Sequence, residues 1–298
     1  MSNLLVFGDC WLGEKISYYF GCPLVSSGPK TYDDIQRSID THKPKVLINA
    51  MEVFGLSTSA ADKDVSYTMF VNASFPLLLA EAAIRNGLKL VHISSGYLFN
   101  SEKKDQLFNE DEAPNYFDTL YSRSKMYSEA ALFALRQSAN ILQVRINLPL
   151  DHVPHKSNLL SKLISYKLVA EGEFCVTYIP DFLEALRHLI KNDCEGIYNV
   201  VNYGTISFRE ILEEYKTYNN RHGYAMSTLK ELKLVRPTAS LSPDKLAEAG
   251  YDIRDIHDAY KECVKKYIEE AGVVTDNGQL EKDGINDDNI STKPVSKG

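Results

Sequence analysis

Four apolar residues, Leu4-Leu5-Val6-Phe7, run directly into Gly8, and a helical pattern follows Gly13 through Ile16, Tyr19 and Phe20. A short apolar run, a glycine turn and an amphipathic helix are how a parallel, nucleotide-binding α/β sheet begins. The same kind of run recurs at Val46-Leu47-Ile48-Asn49-Ala50, Leu90-Val91-His92-Ile93-Ser94-Ser95 and Leu142-Gln143-Val144-Arg145-Ile146, each read as a buried parallel strand. A helix is predicted from Val65 to Asn86, with Ala80, Ala83 and Ile84 facing inward and Gly87 stopping it. Strands alternating with helices imply right-handed crossovers and a sheet covered on both faces. The predicted class is α/β, a Rossmann-like doubly wound parallel sheet.

The second half is more mixed. Residues 159 to 169 and 182 to 191 read as helices, and 196 to 201 as a strand. Ser207 precedes Glu210 by three residues, a capping box for a helix over 208 to 218, and 255 to 271 read as another helix. This divides the chain into a dinucleotide-binding domain over residues 1–150, which receives some later segments, and a smaller C-terminal α/β substrate-binding region over 151–272. Residues 273–298, rich in Asp, Asn, Gly, Lys and Ser, are expected to be a disordered tail.

Charge and composition exclude several classes. With 33 Lys plus Arg against 40 Asp plus Glu, the net charge of -7 opposes a chain built to bind nucleic acid. No apolar run reaches the ~18 residues of a membrane span, and the start lacks a signal peptide's basic region. The five cysteines are scattered without a CxxC pair, so neither disulfides nor a metal site is expected, and a cytoplasmic setting is.

The chemistry centres on Tyr121-Ser122-Arg123-Ser124-Lys125. On a helix, positions i and i+4 share a face, so the Lys125 ammonium is expected beside the Tyr121 phenol. A fixed positive charge there would lower the phenol's pKa and let it exchange a proton with a substrate oxygen. Ser95 closes a predicted strand at its carboxyl end, where ligands bind in such sheets, and would hold the same oxygen. The turn containing Gly8 and Gly13 is a candidate pyrophosphate site at a helix N-terminus.

These segments resemble the extended short-chain dehydrogenase/reductase superfamily. Within it they are similar to the nucleotide-rhamnose synthase/epimerase-reductases and, more distantly, the dTDP-4-dehydrorhamnose reductases. The resemblance is carried by Gly8-Asp9-Cys10-Trp11-Leu12-Gly13, Asn49-Ala50, Ser94 to Phe99, Glu110 to Asn115, Tyr121 to Lys125, Arg145 to Pro149 and Gly196 to Asn199. It implies NADPH as cofactor, with NADH as the alternative, and a 4-keto-6-deoxyhexose joined to UDP or dTDP as substrate. It also implies Tyr121 as proton donor, Lys125 as its partner and ribose anchor, and Ser95 as carbonyl anchor. Gly8, Trp11, Leu12 and Gly13 would line the pyrophosphate, and Asn49 and Ala50 the adenosine and ribose. Asn147 and Asn158 would reach the sugar nucleotide, with Tyr97 and Lys162 beside it. A homodimer is the common assembly in the family.

The chain departs from the family in three places. Its turn is one residue shorter and lacks a central glycine. Tyr97 stands where the bifunctional enzymes carry the cysteine that serves epimerisation with a lysine matching Lys162. After the second strand, Ser26, Ser27 and Lys30 replace the usual acidic residue or arginine, which leans to NADP. The alternatives are a non-catalytic nucleotide-binding subunit, as the short turn suggests, and a bifunctional 3,5-epimerase/4-reductase. A dehydratase is disfavoured because Gly96-Tyr97 supplies no acid pair after the strand-end hydroxyl.

Overall fold

The computed structural model of this chain describes residues 3–272 apart from 9, 27, 29, 55–62, 102, 104, 105 and 221. The expected tail over 273–298 and Ser27 therefore lie outside the described residues. Six strands form the central sheet, in the order Gly196–Asn199, Ile141–Ile146, Lys89–Ser95, Val46–Asn49, Leu4–Phe7 and Leu24–Val25. All neighbours pair in parallel. From Leu4–Phe7 the chain first steps to one side and then returns to the other, so the order switches beside Leu4–Phe7 and Val46–Asn49. The crevice at the carboxyl ends of those two strands is where such sheets hold ligands.

The sheet is covered on both faces, as doubly wound folds require. Trp11–Phe20 and Ile179–Lys191 pack on one side through Ile16, Phe20, Phe182 and Leu186. Tyr32–His42 and the helix Val65–Asn86 pack on the other, through Ile35, Ile39, Phe75 and Leu79. Segments from beyond residue 150 thus complete this layer, since the strand Gly196–Asn199 joins the sheet and the helix Ile179–Lys191 covers its face. The rest of the second half builds its own core around Leu160, Phe174, Phe208, Ile211 and Val264. The capping box at Ser207 and Glu210 is present and starts the helix Phe208–Tyr218.

Three expectations change. Ile84 is 40% exposed, whereas Ala80 and Ala83 are fully buried. It lies one residue, about 100°, beyond Ala83 and falls off the inward stripe. The helix expected over 159 to 169 stops at Ser165, because Tyr166 turns extended and Leu168–Ala170 pairs in parallel with Ala225–Ser227. Val65–Asn86 is, against the sequence reading, long and apolar enough to cross a membrane, with 22 residues and a mean hydropathy of 1.3 in its best window. Here it packs against the sheet, with more than half of that window buried.

Candidate active site

Two glycines set the turn at the switch point. A Cβ on Gly8 would come within 3.0 Å of the Ala50 Cβ, and one on Gly13 within 2.5 Å of the Gly8 carbonyl oxygen. Only bare backbone lets the strand ends and the helix Trp11–Phe20 approach this closely. Cys10 caps that helix, its sulfur accepting from the Gly13 amide at 3.4 Å and its thiol donating to the Ala50 carbonyl at 3.1 Å. Burial first, and the Glu52 carboxylate second, push the Cys10 thiol up to about 11, so it stays neutral at physiological pH. Trp11 stacks on His155, with ring centroids 5.4 Å apart and planes 5° from parallel, and its buried indole N–H has no partner.

Tyr121 and Lys125 sit one turn apart on the helix Leu120–Ala134, which starts where the Thr119 hydroxyl accepts from the Ser122 amide. Both side chains are buried, at 3% and 1% exposure, and share the face turned to the sheet. The Lys125 ammonium donates to the Ile93 carbonyl at 3.0 Å. Ser95, at the end of Lys89–Ser95, accepts from the Tyr97 amide at 3.1 Å and lines the same cavity as the Tyr121 phenol. Ser94 points the other way, to Glu129 at 2.7 Å.

The electrostatics differ from the expected lysine-activated phenol. The Tyr121 hydroxyl donates to Glu52 at 3.1 Å, and the same carboxylate oxygen lies 3.9 Å from the Lys125 ammonium. Burial first and Glu52 second hold the phenol well above the ordinary tyrosine range, with Ser95 opposing them. Burial lowers Lys125, and Glu52 opposes that shift. The expectation that Lys125 lowers the phenol's pKa is thus corrected. A carboxylate stands between the two groups, and both are desolvated.

A cavity of about 390 Å³ runs from Cys10, Trp11 and Leu12 past Glu52 to Ser95, Tyr97 and Tyr121, and on to Lys162 and Arg236. Its far wall is apolar and includes Leu159, Leu163 and Phe208. Lys162 reaches this space rather than open solvent. Its ammonium is 5.8 Å from the Phe54 ring centre, burial lowers its pKa, and Glu52 opposes the shift. Tyr97 is 4% exposed, and its hydroxyl has no partner. Burial raises it, and Arg236, over its ring at 5.8 Å, works against that.

Other expected site residues are placed differently. Asn158 was expected to reach the substrate. It is fully buried as the cap of Leu159–Ser165, accepting from Leu160 and Asp151 and donating to the Asp151 and Val153 carbonyls. Every polar atom of its side chain is spent on the chain itself. Asn49 is buried too, bonded to His92 at 3.1 Å and to the Met51 amide at 3.1 Å, so it shapes the strand end. Asn147 packs under Gly96, and its buried side-chain Oδ1 has no hydrogen-bond partner. Glu52 and Arg236 were missed. A carboxylate three residues past a buried strand was the available signal for Glu52. Nothing local marks Arg236, whose guanidinium lies 4.5 Å from the Phe174 ring centre and whose Nε is buried without a partner.

With this geometry in hand, comparison with known proteins is decisive for the family. The family described as the RmlD substrate binding domain matches residues 30–270. The chain belongs to this family. The Arabidopsis thaliana bifunctional dTDP-4-dehydrorhamnose 3,5-epimerase/dTDP-4-dehydrorhamnose reductase is 26% identical over 72% of this chain and 75% of its own length. Trifunctional rhamnose-forming proteins of the same plant also match, and the chain spans about a third of their length. Among solved structures, the UDP-rhamnose synthase of Acanthamoeba polyphaga mimivirus superposes with a TM-score of 0.80 at 20% identity, over 89% of this chain and 99% of that one. The Bacillus anthracis dTDP-4-dehydrorhamnose reductase, in complex with NADP, superposes with a TM-score of 0.77 at 19% identity, over 90% and 99%. These likenesses place the RmlD-family chain in the Rossmann-like fold class.

Proposed function

We propose that this RmlD-family chain is an NADPH-dependent reductase of a UDP- or dTDP-linked 4-keto-6-deoxyhexose, in rhamnose-type deoxysugar synthesis. The observation that carries the reading is one cavity joining the turn at Cys10–Leu12 to Ser95 and Tyr121, with Lys125 beneath the phenol. The relatives' names support the substrate class, and the NADP complex of a structural neighbour supports the cofactor.

The residues present fit a dinucleotide. The N-terminus of Trp11–Phe20 opens at the turn, and although the Cys10 sulfur takes the Gly13 amide, its remaining first-turn amides would meet a pyrophosphate there. A second, open cavity beyond Leu24–Val25 is lined by Lys30, Ser38 and Thr41 and by Arg37 paired with Asp34, and Lys30 would be its cation for a 2′-phosphate. NADPH, when bound, supplies a hydride to carbon four. Ser95 would hold the carbonyl oxygen, and Tyr121 would give it a proton as it becomes a hydroxyl. Lys125 would anchor the ribose, and Lys162 and Tyr97 would contact the sugar. Residues from 151 onward would form the substrate region. The exposed Tyr67, Tyr127 and Phe133, on helices packed against one another, suit a homodimer, and five free cysteines suit the cytoplasm.

Arg236 is the residue we assign to the substrate's diphosphate. It is a cation against three rings, over Tyr97, Phe174 and Phe208. A charge-assisted hydrogen bond is worth about 1.5–3 kcal/mol. Arg236→Met keeps the packing and loses that bond. Steady-state kinetics should show KM for the nucleotide sugar rising about ten- to a hundredfold with kcat retained. An unchanged KM would remove this assignment.

A second reading, a non-catalytic nucleotide-binding subunit, is favoured by the Cys10 sulfur occupying the cap of the turn helix. NADPH titration separates the two. Binding with oxidation on addition of the keto sugar supports the reductase, and no binding at millimolar cofactor supports the subunit.

A further inference from the structure

Glu52 is the one acidic side chain among the described residues lining the main cavity. It reaches this place from the loop after Val46–Asn49 and meets Tyr121 across 69 positions of sequence. Its side chain is 32% exposed, while Lys125 beside it is 1% exposed. The carboxylate therefore lies between a buried donor pair and the open cavity. We propose that Glu52 is a positioning residue that keeps the Tyr121 phenol loaded with its proton and balances the Lys125 charge, so that the site works as a proton donor. This deepens the reductase reading and rests on it for its consequence in turnover.

The argument is one of charge and geometry. A phenol bonded to a carboxylate at 3.1 Å must keep its proton for the bond to exist. Losing that proton would set a tyrosinate against an anion in a desolvated site, and like charges oppose ionisation there. Tyr-x-x-x-Lys alone predicts the opposite, a phenol drawn toward the anion by its lysine. The other groups facing this cluster do not replace Glu52. Cys10 is a neutral thiol, and Glu129 lies behind Lys125, paired with Arg145. His92 is buried and held neutral, by burial first and the Lys125 charge second. Lys162 and Arg236 stand farther along the cavity, over Phe54 and Tyr97. With its proton held, Tyr121 answers only to a stronger base, which is what the alkoxide left by hydride addition is.

The test is Glu52→Gln, which keeps a hydrogen-bond acceptor and the volume but removes the charge. Tyr121 is followed directly by near-ultraviolet tyrosinate absorbance, as the difference between each protein and its Tyr121→Phe counterpart. Turnover is followed by the alkaline limb of kcat/KM. We expect both to move to lower pH by about 1–3 units in Glu52→Gln. The absorbance titration needs no substrate, so it decides the role of Glu52 even where the reductase reading fails. If Glu52→Gln does not fold, Glu52→Ala carries the same two readouts. An unmoved tyrosinate titration overturns the proposal. So does a loss of turnover at every pH with that titration unmoved, which would make Glu52 itself the proton donor.

Discussion

Tyr121→Phe should bind NADPH as tightly as the unaltered chain and lose about 10²–10⁴-fold in kcat on the 4-keto sugar nucleotide. The phenol lines the described cavity beside the strand-end Ser95 and donates to Glu52. The ring is held by contacts a phenylalanine keeps. It meets Phe54 edge-on at 4.9 Å and Tyr97 at 6.2 Å between centroids. Removing the oxygen therefore takes away the proton and little of the packing. Single-turnover kinetics beside a cofactor titration separates the two effects. Full turnover in the variant would show that the proton comes from elsewhere.

The second large effect is on stability. Glu129 and Arg145 form a buried pair, at 4% and 1% side-chain exposure, with a 2.5 Å contact between Arg145 Nη2 and Glu129 Oε1. Glu129 also accepts from Ser94 at 2.7 Å, and the guanidinium lies 4.8 Å from the Phe99 ring centre. The pair ties the helix carrying Tyr121 to the strands ending at Ser95 and Ile146. Glu129→Ala leaves a desolvated cation without its partner, which costs about 3–5 kcal/mol. The urea midpoint should fall by the amount this implies, with the slope unchanged. Replacing both partners together, Glu129→Leu with Arg145→Met, should cost less than the single change, because no charge is then stranded. A single variant within about 1 kcal/mol of the parent would refute this account of the pair.

What was legible in the sequence was what depends on short spacing. The strand Leu4–Phe7 and its glycine turn, the pair Tyr121 and Lys125, and Ser95 at a strand end are all set by local period or by a run's edge. Their neighbours were not legible, because contact there is decided by the sheet. Glu52 meets Tyr121 only because Val46–Asn49 lies next to Lys89–Ser95. Arg236 enters the cavity from a loop with no periodic signal. Asn158 was misplaced for a related reason. An asparagine before an apolar run is equally a ligand group or a helix cap, and here it is the cap. The consequence reaches the chemistry, since the motif alone leaves out burial and then Glu52, which together raise the phenol's pKa.

The central claim is hydride transfer to carbon four of a nucleotide-linked keto sugar. It is tested most directly by incubating the protein with NADPH deuterated at the transferable position and UDP- or dTDP-4-keto-6-deoxyhexose, then locating the label by NMR. Deuterium at carbon four of the sugar, one per cofactor oxidised and formed about 10²–10⁴-fold more slowly with Tyr121→Phe, is the predicted result. Both nucleotides bound with no label at carbon four would contradict it.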